Sequence, residues 1–159
     1  MMIIGESSLT ILSRLLTSAT ENNSCKACNE WREENPFALL GLEGADLQDK
    51  NLEGAFLQKA NLKEAFLIDA NLQKASLEWA KLEGAYLNHA KLQKAWLMGA
   101  NLEGADLGGS QHQEAILSRT ILTNTILSFA NLSGANFLKA EISYANFEGV
   151  KIGKEIVRI

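Results

Sequence analysis

Apolar residues recur at every fifth position along most of this chain of 159 residues. Leucine occupies that position without exception from Leu42 to Leu107, and a small residue, usually alanine, lies two places before it. After an interruption at His112 the phase resumes and continues to Ile152. An internal repeat of this kind determines the architecture of the whole chain.

A period of five fits neither a regular helix nor a regular strand. Five residues of an α-helix advance about 500°, so the leucines would spiral around every side. Side chains of a flat strand alternate with a period of two, so an odd spacing would send successive leucines to opposite faces. The period suits a chain that turns a corner once per repeat and points every leucine at one axis. We therefore predict a solenoid whose coils stack through β-type hydrogen bonds.

A weaker repetition at twenty residues predicts the number of pentads in each coil. Leu-Glu-Gly-Ala recurs at 82–85 and 102–105, and Leu-Gln-Lys-Ala recurs at 72–75 and 92–95. Four pentads per coil would place residues twenty apart above one another. Glycine ends many pentads, as expected for a turn residue with a positive φ.

The pattern Ala-Asn/Asp-Leu, seen at Ala60-Asn61-Leu62 and repeated down the chain, resembles the pentapeptide repeat protein family over roughly residues 40–154. The resemblance implies a mainly β fold, the right-handed quadrilateral parallel β-helix, here with about 23 pentads. Members are especially numerous in cyanobacteria, and most have no assigned biochemical activity. The best understood subgroup protects DNA gyrase from quinolones by presenting a rod shaped and charged like duplex DNA.

Residues 1–39 lie outside the repeat and have helical spacing. We predict one helix over about 8–20 and a second, short helix over about 26–34 that stops before Pro36. A β-helix leaves backbone groups and leucines uncovered at each end. The segment is therefore expected to be an N-terminal α-helical cap, with a partner-docking helix as the alternative.

The C-terminal end of the repeat differs from its middle. The central residue changes to Phe137, Ile142, Phe147 and Ile152, and the tail 155–159 is rich in apolar residues. Gyrase-protecting members of the resembled family dimerise through such ends. A C-terminal homodimer is therefore one hypothesis, and a tail folded over its own last coil is the other.

Cys25 and Cys28 form a single Cys-x-x-Cys motif. A redox role would require a thioredoxin-like βαβ context, which the sequence lacks. A zinc site would require further ligands, and His89 and His112 lie far along the repeat. Two interpretations stay open, namely a disulfide that forms under oxidising conditions and an inert pair of thiols.

The interruption at His112 follows the pair Gly108 and Gly109. A buried imidazole must be hydrogen-bonded, or the coil must bulge to expose it. The two glycines favour a local bulge or a loosened corner. A recognition loop, as some gyrase-protecting relatives carry, is the functional alternative.

Folding the repeat into four faces predicts a rod with acidic and basic sides. The first face begins at Leu40, the second at Ala45, the third at Lys50 and the fourth at Ala55, and each recurs every twenty residues. Their outward side chains sum to −3, −5, +4 and +2. Duplex DNA is negative on all sides, so half of this circumference has the wrong sign for a mimic. The basic faces also carry few arginines and few interleaved aromatics, which argues against direct nucleic-acid binding.

Outward aromatic residues also fall in columns. Phe66 and Tyr86 are twenty residues apart on the second face, and Trp79, Trp96 and Met98 lie on the fourth. Such residues either stack as ladders that stabilise the coils or mark a protein-binding patch.

Composition and candidate chemistry narrow the function further. The net charge is −4 with a pI near 5.2, so no bulk attraction to nucleic acid or anionic membranes is expected. No apolar stretch approaches 18 residues, and the aligned Asp69 and His89 lack a third catalytic member. We predict a non-enzymatic structural or protein-interaction scaffold with an unidentified protein partner, without cofactor or metal, in the cytoplasm. The alternatives are the thylakoid lumen or periplasm as location, and a DNA-mimicking inhibitor or protector of an enzyme such as gyrase as function.

Overall fold

A computed structural model describes residues 25–153, which comprise a helix followed by stacked coils. Helix α1 spans Lys26–Glu34, as the sequence predicts, and Pro36 follows two residues beyond its end. The helix predicted over 8–20 and the tail at 155–159 lie outside the described residues.

The coils repeat every twenty residues. Nineteen parallel bridges join residues twenty apart, from Gly41 with Asn61 to Asn131 with Lys151. Within 25–153 every bridge involves a single residue, so turns and isolated bridges take the place of longer strands. Four pentads therefore complete each coil, and the predicted β-type stacking is confirmed.

Each pentad closes with a hydrogen-bonded turn. In the first of them the Ala45 N–H donates to the Leu42 carbonyl at 3.1 Å, and Gly44 between them has φ 62°. A positive φ at the third position is typical of a type II turn. The 22 corresponding residues from position 44 to 149 all share this sign, and 14 of them are not glycine. The hydrogen bonds between coils therefore outweigh a backbone cost of about 1–2 kcal/mol at each non-glycine position.

Leucine and alanine columns form the core. The central leucines from Leu42 to Leu107 are at most 3% exposed. Complete burial of one such side chain contributes about 1.5–3 kcal/mol, so the stack is stabilised by many similar contributions. At the other end Phe147 and Ile152 are exposed, because no described coil covers them.

The prediction of a bulge around Gly108, Gly109 and His112 is wrong. The His112 N–H donates to the Asn131 carbonyl at 2.8 Å, so hydrogen bonding between coils continues through the interruption. Gly109 has the regular turn φ of 67°, and a Cβ on it would lie 2.6 Å from Nδ1 of His89. Gly109 thus provides space for a side chain of the preceding coil, and no residue is inserted for a recognition loop.

Asn29 of helix α1 completes the backbone hydrogen bonding of the first coil. Its Nδ2 donates to the Gly54 carbonyl at 2.8 Å, and its Oδ1 accepts the Phe56 N–H at 2.8 Å. One coil later, the equivalent N–H of Ser76 donates to the Ala55 carbonyl. The Asn29 amide therefore substitutes for a peptide group of a preceding coil.

Two other side chains at the same end make comparable bonds. Arg32 donates through Nη2 to the Gln58 carbonyl at 3.1 Å. The Cys25 thiol donates to the Asn51 carbonyl, with 3.5 Å between Sγ and the oxygen. Both carbonyls belong to positions that accept N–H groups in later coils. Helix α1 and Cys25, the residue before it, thus supply hydrogen-bond partners for backbone carbonyls of the first coil.

We expect Asn29→Ala to lower the free energy of unfolding by about 1–3 kcal/mol, because it leaves the Phe56 N–H and the Gly54 carbonyl without these partners. Urea denaturation followed by circular dichroism measures the change. Glu34→Ala, on an exposed position of the same helix, is the matched control and should stay within about 0.5 kcal/mol of the parent. Equal losses for the two variants would contradict the assigned role of Asn29.

Candidate interaction surface

Phe66 and Tyr86 stack on the second face. Their ring centroids are 5.1 Å apart with planes 4° from parallel, and each side chain is 43% exposed. This separation is close to the ~4.8 Å between neighbouring β-bridged segments, so the stack follows from the coil spacing. Asp46 and Asp106 continue the same column on either side.

Trp79 lies flat against the following coil on the fourth face. A Cβ atom on Gly99 would lie 2.5 Å from Cε3 and Cζ3 of Trp79, so the indole occupies the space that this glycine leaves. Phe129 lies over Gly149 in the same way. Sequence reasoning missed this relation, although its signal is simple: a glycine twenty residues after an aromatic residue at the turn position.

Trp96 and Met98 come from the coil directly beside Trp79. The Trp96 carbonyl accepts the Leu77 N–H at 2.7 Å, and the Met98 carbonyl accepts the Trp79 N–H at 3.1 Å. The exposed fractions are 52% for Trp79, 54% for Trp96 and 39% for Met98. The structure therefore brings the three predicted surface residues together on adjacent coils of one face.

Ion pairs distinguish the four faces. The pairs between coils are Lys63–Glu83 at 3.0 Å on the first face, and Lys74–Glu53 at 2.8 Å and Lys94–Glu114 at 3.5 Å on the third. The Lys74 ammonium lowers the pKa of Glu53, and the Glu83 carboxylate raises the pKa of Lys63. In the part of the chain that the structure describes, charged residues of the second and fourth faces form no ion pair.

His112 is fully buried in a leucine column. Its Nε2 lies 2.8 Å from Oγ of Ser110, whose hydroxyl donates to the Leu107 carbonyl at 2.6 Å. Because that hydroxyl hydrogen is engaged, Oγ accepts from Nε2–H, and Nδ1 is then an acceptor without a partner. Burial lowers the pKa of His112 to about 4. The imidazole is therefore neutral at pH 7 and belongs to the core.

Cys25 and Cys28 are buried and unlinked at the start of α1. The hydrogen bond between the two thiols raises the pKa of Cys25, which burial raises further, and lowers the pKa of Cys28. Cys25 also lines a cleft of about 470 Å³ with Asn29, Glu33 and Phe56. The geometry is that of a reduced thiol pair, and the disulfide under oxidising conditions stays a prediction.

Other chemistry is sparse in residues 25–153. This range holds no group of three or more His, Cys, Asp or Glu side chains placed to share a metal ion. The ring of His89 lies against Gly109, and no hydrogen bond joins it to Asp69 in the described structure. Helix α1, the helix of this range, is too short and too polar to cross a membrane.

Twenty-residue coils, a leucine core and variable outward side chains define a β-solenoid repeat protein. The family model for pentapeptide repeats matches with eight copies over residues 42–78, 67–104, 100–137 and 115–152. The chain therefore belongs to the pentapeptide repeat family. Among curated proteins, no sequence matches it.

Solved structures of cyanobacterial members are similar to this chain. The pentapeptide repeat protein alr5209 from Nostoc PCC 7120 is 33% identical, with 58% of this chain and 84% of that chain covered and a TM-score of 0.51. HetL of the same strain, described as involved in heterocyst differentiation regulation, is 30% identical over 76% of this chain and 72% of its own, with a TM-score of 0.31. Rfr23 from Cyanothece 51142 is 24% identical over 92% of this chain and 99% of its own, with a TM-score of 0.45.

Proposed function

We propose that this protein is a non-enzymatic interaction scaffold whose partner is a protein docked along one flat outer face. The observation that carries this proposal is the division between interior and exterior. Fully buried leucine and alanine columns occupy the interior, which leaves its chemistry uniform and closely packed. Except for the buried Ser110, His112, Thr120 and Thr125, the chemically variable positions point outward, so specificity has to lie on the surface.

The same proposal includes the finer architecture. The coil is a right-handed quadrilateral, residues 1–39 are the cap, 40–154 the solenoid and 155–159 a C-terminal tail. The twenty-residue bridges and the hydrogen bonds from α1 to the first coil support it. The exposed Phe147 and Ile152 suit a C-terminal homodimer. The cytoplasmic location stays a prediction.

Site-specific photo-crosslinking in the producing cells tests the scaffold. One exposed residue per face is replaced by a photoreactive amino acid, namely Glu103, Asp69, Lys94 and Arg119 for the first to the fourth face. We expect the position on one face to capture the same protein in repeated experiments, while the position on the opposite face captures none. Absence of a crosslinked protein from all four faces would refute the scaffold.

A gyrase supercoiling assay separates the DNA-mimic alternative from the scaffold. A mimic needs an acidic surface, and only the first and second faces are acidic. We expect no effect of micromolar protein on supercoiling or on its inhibition by a quinolone. Inhibition that disappears when Asp69 and Asp106 are replaced by asparagine would favour the mimic.

A further inference from the structure

The fourth face combines an apolar centre with basic ends. Along its turn column the residues are Lys59, Trp79, Gly99, Arg119 and Lys139, each twenty after the last. Trp96 and Met98 widen the apolar centre toward the middle of the same face. Within residues 25–153, Lys59, Arg119 and Lys139 form no ion pair. Lys63 on the first face and Lys74 and Lys94 on the third face are each paired with a glutamate.

The centre of this face is pre-organised. The Trp79 ring packs against the backbone at Gly99, in the space that this glycine leaves, and half of its surface stays open. An aromatic ring held in place before binding loses little conformational entropy when a partner stacks on it. The same residue types, tryptophan and arginine, are those that dominate the energetics of protein interfaces.

The spacing of the cations fits an extended peptide. Lys59 and Arg119 are three coils apart, which corresponds to about 14 Å at the usual separation of bridged segments. An extended peptide rises about 3.4 Å per residue, so residues one and five are also about 14 Å apart, and residues one, three and five point to the same side. An acidic–x–apolar–x–acidic segment would place its carboxylates at the cations and its central side chain at Trp79.

Glu78, the acidic residue of this face, favours an apolar residue at the centre of the bound segment. Glu78 lies between Gln58 and Met98, and its Oε2 is enclosed without a hydrogen-bond partner. A carboxylate of the ligand at the centre would be repelled by Glu78, whereas an apolar side chain there is not. The ends of the segment meet only lysine and arginine on this face.

We propose that the fourth face binds extended protein segments of the form acidic–x–apolar–x–acidic, through Lys59, Trp79 and Arg119. This inference rests on the proposed scaffold function and names the face and the chemistry of the partner. A polyanion such as single-stranded DNA is less suitable, because the net charge of −4 repels the phosphates that extend beyond these few cations.

Titration of the full-length protein with a defined peptide tests the proposal. The probe is acetyl-Glu-Ala-Phe-Ala-Glu-amide, and the readout is the indole N–H resonances of Trp79 and Trp96. We expect saturable shifts with a dissociation constant of about 1 mM, weakened by added salt. Trp79→Ala should abolish measurable saturation, and Arg119→Ala, read on both indoles, should weaken binding about three- to fivefold.

Matched controls keep the test decisive. Lys94→Ala on the third face and the pair Phe66→Ser with Tyr86→Ser on the second face should leave the affinity unchanged. Equal binding of acetyl-Lys-Ala-Phe-Ala-Lys-amide, or tighter binding of a five-nucleotide thymidine strand, would overturn the proposal. Thermal melting confirms that each variant is folded. Crosslinks from another face together with no peptide binding would refute this inference alone, whereas crosslinks from none would refute the scaffold.

Discussion

Gly99→Ala is expected to destabilise the solenoid far more than Gly104→Ala. The two glycines have nearly the same backbone conformation, with φ +70° and +66°. A Cβ on Gly104 meets nothing within 4 Å, so the cost there is the positive φ alone, about 1 kcal/mol. A Cβ on Gly99 must displace the Trp79 ring, which brings the total to about 3 kcal/mol. Urea unfolding of both variants measures the difference.

A double-mutant cycle assigns the extra cost to the indole. In a Trp79→Ala background the Cβ of Ala at position 99 has space, so Gly99→Ala should then cost no more than Gly104→Ala does. The coupling free energy between the two sites is expected to be about 2 kcal/mol. A coupling near zero would show that the Trp79 ring does not lie over Gly99 in solution, and the pre-organised centre of the fourth face would lose its basis.

Acidification from pH 7 to pH 4 is expected to cost about 3 kcal/mol of stability through His112 alone. The folded pKa is lowered from 6.5 to about 4 by burial, so the unfolded chain binds the proton first. The loss therefore begins as the pH falls through 6.5 and is complete near pH 4. The structural reason is the dry leucine column, in which Nδ1 has no partner and a charged imidazole would lack solvation.

The variant His112→Leu isolates this effect from the titration of surface carboxylates. At pH 7 it removes an unpaired buried nitrogen, while the Ser110 hydroxyl keeps its bond to the Leu107 carbonyl, so the melting temperature should rise. The stability difference between His112→Leu and the parent should then grow by about 3 kcal/mol toward pH 4. A difference that is independent of pH, or a clear fall in melting temperature at pH 7, would contradict this account.

The sequence predicted His112 as a buried exception but not how the coil accommodates it. Its position in the leucine register was enough to place it in the core. Its partner is Ser110, which replaces an alanine two residues earlier and faces the same axis, so the pair is visible in hindsight. The predicted bulge failed because the glycines were interpreted locally. Gly109 is explained by the ring of His89, twenty residues away in sequence and adjacent in space.

The periodicity by itself determined the solenoid, the four pentads per coil and the identity of the buried columns. It could do so because every pentad buries the same central position, and a leucine out of this register would lie in water. The tertiary structure alone decided which side chains meet between coils. Examples are the Trp79 ring on Gly99, the Asn29 amide on the first coil, and the ion pairs, which form on the first and third faces and not among the described residues of the fourth. Those contacts depend on rotamers and on neighbours a full coil away, where side chains have several partners within reach and only packing selects one.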